Sequence, residues 1–226
     1  MILALSCLIG TILIYWLAKR LYRVVPRVYL TPLLVTPIAV IALIECFHIP
    51  YETYNAGSQW LTEMIGPATV ALAVPLYKNF AVFKKHAAVI LTSVCSGAVV
   101  AFVTSVWFAE RLHLSTEIME SLAPRSATTP IAMVISDGLG GIPNITAVFV
   151  MITGLTGMIL GPVVVKMFRI QGDIARGVLF GTSAHAAGTA KAFEFGAVAG
   201  TISSIAMMVT AFVTLGFAPW LIKIFS

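Results

Sequence analysis

A chain of 226 residues that is 59% hydrophobic and 10% charged, with a mean hydropathy of +0.99, lies far from the composition of soluble domains, in which about 25% of residues are charged. This excludes a water-soluble globular domain and marks an integral membrane protein. The net charge of +5 is not a nucleic-acid signal, because the basic residues sit at the ends of apolar runs and not in one patch.

The apolar runs approach the roughly 20 residues that cross a hydrocarbon core of about 30 Å. The expected fold is therefore an all-α integral membrane protein, a polytopic helical bundle of about 7–8 membrane segments with broken and re-entrant helices. One transmembrane domain over residues 1–226 is the simplest division, with plain spans in 1–110 and the chemically loaded half in 111–226. Cys7, Cys46 and Cys95 lie in apolar runs without C-x-x-C spacing, which predicts buried thiols and neither a disulfide frame nor a metal site. No cofactor is expected.

In chain order, residues 2–18 form a retained first span, since they lack a charged start and a small-residue cleavage pattern. The span ends at Lys19, Arg20, Arg23 and Arg27, which the positive-inside bias places in the cytoplasm, so the N-terminus is expected outside. A second span over 29–47 runs into an external loop carrying Glu45, Glu52 and Glu63. A third, 60–77, is interrupted by Gly66-Pro67 and Pro75 and ends at Lys78, Lys84 and Lys85. Residues 87–109 are a clean fourth span, followed by an amphipathic loop to Arg125.

Residues 126–144 are too short, polar and Gly/Pro-rich for an ordinary crossing. A re-entrant segment keeps the basic loop of Lys166, Arg169 and Arg176 on the same side as the other basic loops. The fifth crossing is then 145–168, a broken sixth is 177–195, and the seventh is 201–225, with the C-terminus cytoplasmic. The words TPIA at Thr36 and Thr129, and Gly-Pro at Gly66 and Gly161, suggest an internal repeat of the kind transporters use.

Three clusters could carry chemistry. Arg125, Ser126, Thr128, Thr129 and Pro130 form a helix start, where free N–H groups and a forked guanidinium can hold an anion. Ordinary capping beside an interfacial arginine explains the same letters. Asp137 to Asn144, with Gly138, Gly140, Gly141 and Pro143, suits the tip of a tight reversal or a plain loop.

The third cluster, TSAHAAGTAK from Thr182, brings Ser183, His185, Gly188, Thr189 and Lys191 to membrane depth, where each unpaired polar group is costly. On an ideal helix Thr182, His185 and Thr189 share a face while Ser183 lies roughly 200° from His185, which weighs against a serine nucleophile with a histidine base. A break at Gly188 would change those angles. His185 is the candidate for proton coupling, whereas Lys191 either joins the site or pairs with Glu194 three residues on.

These motifs carry a resemblance. PRSATTPIAMVISDGLGGIPNITAVFVMITGLTGMILGP from Pro124, ARGVLFGTSAHAAGTAKAFEFG from Ala175 and SSIAM from Ser203 resemble the LrgB/CidB family of bacterial membrane proteins. The resemblance implies a plasma-membrane protein working with a small holin-like partner, LrgA or CidA, in modulating murein hydrolase export and autolysis. It also implies small monocarboxylates, namely glycolate, glycerate or pyruvate, as substrates. A transporter rather than an enzyme is the leading expectation; a non-transporting regulator and an intramembrane hydrolase are its rivals. A homo-oligomer is compatible with both transport and regulation.

Overall fold

The computed structural model describes residues 2–25, 27–71, 73–78 and 80–225, which are helical apart from short connections. The all-helical expectation holds. Among the described residues, four helices are long and apolar enough to cross a membrane: α1 (Ile2–Val24), α6 (Phe80–Arg111), α9 (Pro143–Met167) and α11 (Ala197–Phe225). Packing divides the chain into two compact units, Met1–Ala68 and Thr69–Ser226.

In the first unit α1 packs on α2 (Pro32–Cys46) and on α3 (Tyr51–Glu63). The stretch expected to be an external loop is thus a helix over 51–63. Its polar composition suggested a loop, but Tyr54 and Gly57, three apart, turn to α1: the Tyr54 hydroxyl lies 3.3 Å from that of Thr11, and Gly57 sits against the Ala4 carbonyl with no room for a Cβ. The expected third span is divided among the end of α3, α4 (Ile65–Ala71) and α5 (Ala73–Lys78). None of the three cysteines is buried: Cys46 is exposed, and Cys7 and Cys95 are intermediate. The surface of such a bundle is itself apolar, so a cysteine in an apolar run need not face inward.

The second unit is built around α6, α9 and α11. Along α6 and α11 the contacts advance together, with Ile90 and Val94 meeting Ile202 and Ile205, and Phe102 meeting Ala218 further on. These helices run parallel. Between α6 and α9 lie α7 (Thr116–Leu122) and α8 (Thr129–Leu139). At about 1.5 Å per residue, the 11 residues of α8 rise about 16 Å, half a hydrocarbon core. α8 ends at Gly140, whose φ of 102° is open only to glycine at low cost, and the chain turns back into α9. The Ser121 hydroxyl accepts the Ile142 N–H at 2.7 Å, and Thr146 donates to Ser136 at 2.7 Å, closing this turn.

α10 (Asp173–Phe195) overturns the expected broken crossing. Its backbone departs from helix at His185, with φ 48° and ψ −131°, and not at Gly188. In a straight helix Phe180 and Phe195 would stand about 22 Å apart. Their ring centroids are 5.4 Å apart, and the Arg176 guanidinium lies 5.4 Å from the Phe195 ring. α10 is therefore a hairpin whose limbs, 173–184 and 186–195, leave and return at one end of the unit.

Contacts with α11 confirm the reversal. Gly177 sits against Ala199 and Ile202, and Gly181 against Ser203 and Ala206, so the first limb runs with α11. Thr189 meets Ser203 while Phe193 meets Gly200, so the second limb runs against it. Gly188 lies on the Phe180 carbonyl, where a Cβ would collide; the two limbs can close only over a glycine.

Because the hairpin does not cross, the end of α11 lies opposite the basic loops at Lys78–Lys85 and Lys166–Arg176. The expectation that the C-terminus shares their side is overturned with the broken crossing. In a background lacking the three cysteines, single cysteines placed at 171 and 220 are expected to label from opposite sides of the membrane. Labelling from one side would restore the crossing. The repeated words also fall in unlike places: Thr36-Pro37 lies within α2 but Thr129-Pro130 begins α8, and Gly161-Pro162 lies within the long α9 but Gly66-Pro67 in the seven-residue α4.

Candidate anion site

The hairpin tip and the connection between α7 and α8 meet inside the second unit. α10 reaches in from the end that holds the basic loops, and residues 123–128 reach in from the other. Ala184, just before the tip, lies against Gly154 and Gly157, close to the midpoint of the 25-residue α9. Small residues at both places let the helices approach closely.

Arg125 and His185 hold the two tips together. His185 Nε2–H donates to the Arg125 carbonyl at 3.0 Å; a carbonyl can only accept, so the proton is on Nε2 and Nδ1 carries a free lone pair. His185 is 4% exposed, and Nδ1 has no hydrogen-bond partner. A bulky side chain at φ 48° with that ψ is strained, and such strain persists only where surrounding contacts fix it. Here the bond to Arg125 and the packing on α9 do so.

The guanidinium points the other way. Arg125 Nε donates to Ser105 Oγ at 2.7 Å and one terminal nitrogen to Thr153 Oγ1 at 3.5 Å. Among the described residues it meets hydroxyls and no carboxylate. It opens into a cavity of about 380 Å³ lined also by Thr153, Thr156, Gly157 and Ser183. Ser183 Oγ is committed to the Leu179 carbonyl at 2.6 Å, and His185 to Arg125, so these two side chains are not bonded to each other.

At α8 the N-cap is Thr128, whose hydroxyl makes no capping bond, and Pro130 in the first turn has no N–H to offer it. The Thr128 and Ser126 hydroxyls are both buried and unpartnered. Buried polar atoms are normally bonded to protein, water or ligand. Three such atoms, on Ser126, Thr128 and His185, lie on the two tips that the His185–Arg125 bond joins.

The remaining candidates lie elsewhere. Thr129 and Pro130 are half-buried in the first turn of α8, and Asn144 is exposed in the first turn of α9. Thr189 is buried against Ser203 at 2.9 Å, and Gly188 closes the hairpin. Lys191 lies on the second limb, its ammonium 2.5 Å from Glu194, and does not line the cavity. Ser105, Thr153 and Thr156 were not singled out in the sequence. Their only signal is a hydroxyl inside a long apolar run, which more often bonds back to its own helix.

A family model described as the LrgB-like family matches residues 11–224. The chain belongs to the LrgB-like family. Among similar members is YwbG of Bacillus subtilis (strain 168), 50% identical over 99% of both chains. The holin-like protein CidB of Staphylococcus aureus (strain N315) is 34% identical over 98% of this chain and 97% of its own. No solved structure matches. The resemblance noted from Pro124, Ala175 and Ser203 therefore extends over nearly the whole length, and this LrgB-like chain is a multi-pass helical membrane protein.

Proposed function

We propose that this LrgB-like protein is a permease for small monocarboxylates such as glycolate, pyruvate or acetate, acting alongside a holin-like partner of the LrgA/CidA type. One observation carries the reading: at mid-depth of α9, a guanidinium without a carboxylate faces a cavity bordered by hydroxyls. A forked donor and the hydroxyls of Thr153 and Thr156 suit one carboxylate, and the uncapped start of α8 adds positive potential nearby. Burying an arginine at such depth is costly unless function requires it.

His185 supplies the coupling group. Protonation at the unpartnered Nδ1 would add one positive charge on the far side of Arg125 from the anion, so proton and carboxylate favour each other's binding. Catalysis of hydrolysis is not part of this proposal, since Ser183 and His185 are bonded to separate carbonyls.

The second reading is a non-transporting regulator of murein hydrolase export within a holin-like complex, and the likeness to the holin-like protein CidB favours it. Flux of labelled glycolate, pyruvate and acetate into proteoliposomes containing this chain alone separates the two. Permeation is expected to rise when the outside is more acidic. Flux no greater than in empty vesicles, for all three acids and both signs of pH gradient, would leave the regulator.

A further inference from the structure

A second binding surface lies in the first unit, on the side of α1 that its neighbours do not use. At 100° per residue, Leu3, Cys7, Gly10, Thr11 and Ile14 share the face that lines the groove against α2 and α3. Leu5, Ile9, Ile12, Leu13 and Trp16 share the opposite face, and each is about half exposed. The same face continues, toward the end of the helix, into Lys19, Arg20 and Arg23.

Those three cations and Trp16 enclose a small depression of about 270 Å³. The Arg20 guanidinium lies 4.4 Å from the centre of the Trp16 ring and the Lys19 ammonium 5.9 Å from the Tyr15 ring, so aromatic faces orient the charges. No carboxylate competes for them within this stretch, because the first acidic residue of the chain is Glu45. The arrangement joins an apolar ribbon about 16 Å long, from Leu5 to Trp16, to a cationic clamp at its end.

We propose that this face of α1 binds a phospholipid with an anionic headgroup, its phosphate held by Lys19, Arg20 and Arg23 and an acyl chain lying along Leu5 to Trp16. Charge selects the headgroup: a net-negative lipid is matched by three cations, whereas a zwitterionic one brings its own ammonium into the clamp. The ribbon selects a lipid over free phosphate, since inorganic phosphate gains nothing from it. Arg20 and Arg23 contribute forked donors that an ammonium cannot reproduce.

The test is lipid retention. The full chain, purified in mild detergent, is exchanged with equal amounts of phosphatidylglycerol and phosphatidylcholine, and bound lipid is read by native mass spectrometry. Wild type is expected to retain phosphatidylglycerol about tenfold over phosphatidylcholine, and K19Q/R20Q/R23Q to lose that preference. R20K/R23K preserves the charge and should fold and insert normally; its retention is expected to fall about threefold, through loss of the forks. K84Q/K85Q, which removes charge outside this face, should retain lipid as wild type does.

Equal retention of the two lipids by wild type would overturn the proposal, as would wild-type retention in both clamp variants. Displacement of phosphatidylglycerol by inorganic phosphate would assign the clamp to the free ion and likewise overturn it. An equal loss in K84Q/K85Q would reduce the effect to overall charge.

Discussion

Arg125→Gln is expected to lower carboxylate flux by about 10- to 100-fold while leaving the protein folded. The estimate follows from removing charge-assisted hydrogen bonds worth about 1.5–3 kcal/mol, and each 1.4 kcal/mol is a factor of ten. Glutamine can still reach toward Ser105 and Thr153, which now hold the guanidinium, so the local fold loses little. Arg125→Lys should fall between, because an ammonium keeps the charge and gives up the fork. The measurement is initial uptake into proteoliposomes at fixed protein density, with folding checked by thermal unfolding in detergent. Wild-type flux in Arg125→Gln would remove the guanidinium from the path.

His185 sets two effects against each other, and two substitutions separate them. His185→Ala removes the N–H that satisfies the Arg125 carbonyl, at a cost of about 1–3 kcal/mol, and keeps a Cβ at φ 48°. His185→Gly removes the same donor but relieves the backbone, which for a non-glycine residue in so sparsely populated a conformation costs about 1–3 kcal/mol. The glycine variant is therefore expected to unfold at a higher temperature than the alanine variant, and both should lose the pH-gradient dependence of uptake. Equal unfolding temperatures would show that the reversal is unstrained, and intact pH dependence in both would remove His185 as the proton site.

Much of this arrangement was legible before the structure. The count of charges and apolar runs gave a helical membrane bundle, and the cost of polar groups in lipid pointed to Arg125, Ser126, Thr128 and His185, which the structure brings together. The reversal in α10 was not legible, because 19 residues with one polar interruption fit a broken crossing as well as two short limbs. What distinguishes them is the contact of Phe180 with Phe195 and of Gly188 with the Phe180 carbonyl, which are distant in sequence. Lys191 shows the opposite case. Its spacing to Glu194 allowed the local ion pair as one of two readings, and that pair is what forms. Ser105, Thr153 and Thr156 were hidden because a lone hydroxyl in an apolar helix rarely means more than a bond to its own backbone.

The hairpin in α10 also constrains the order in which the protein is made. Limbs of about 18 and 15 Å are too short to be inserted as independent spans, and the histidine between them would enter lipid with its polar atoms unmet. The grooves that accept Gly177, Gly181 and Thr189 belong to α11, which the ribosome makes after α10. The packing of α10 is therefore complete only once α11 is in place, although α9 already offers Gly154, Gly157 and Gly161 to the first limb.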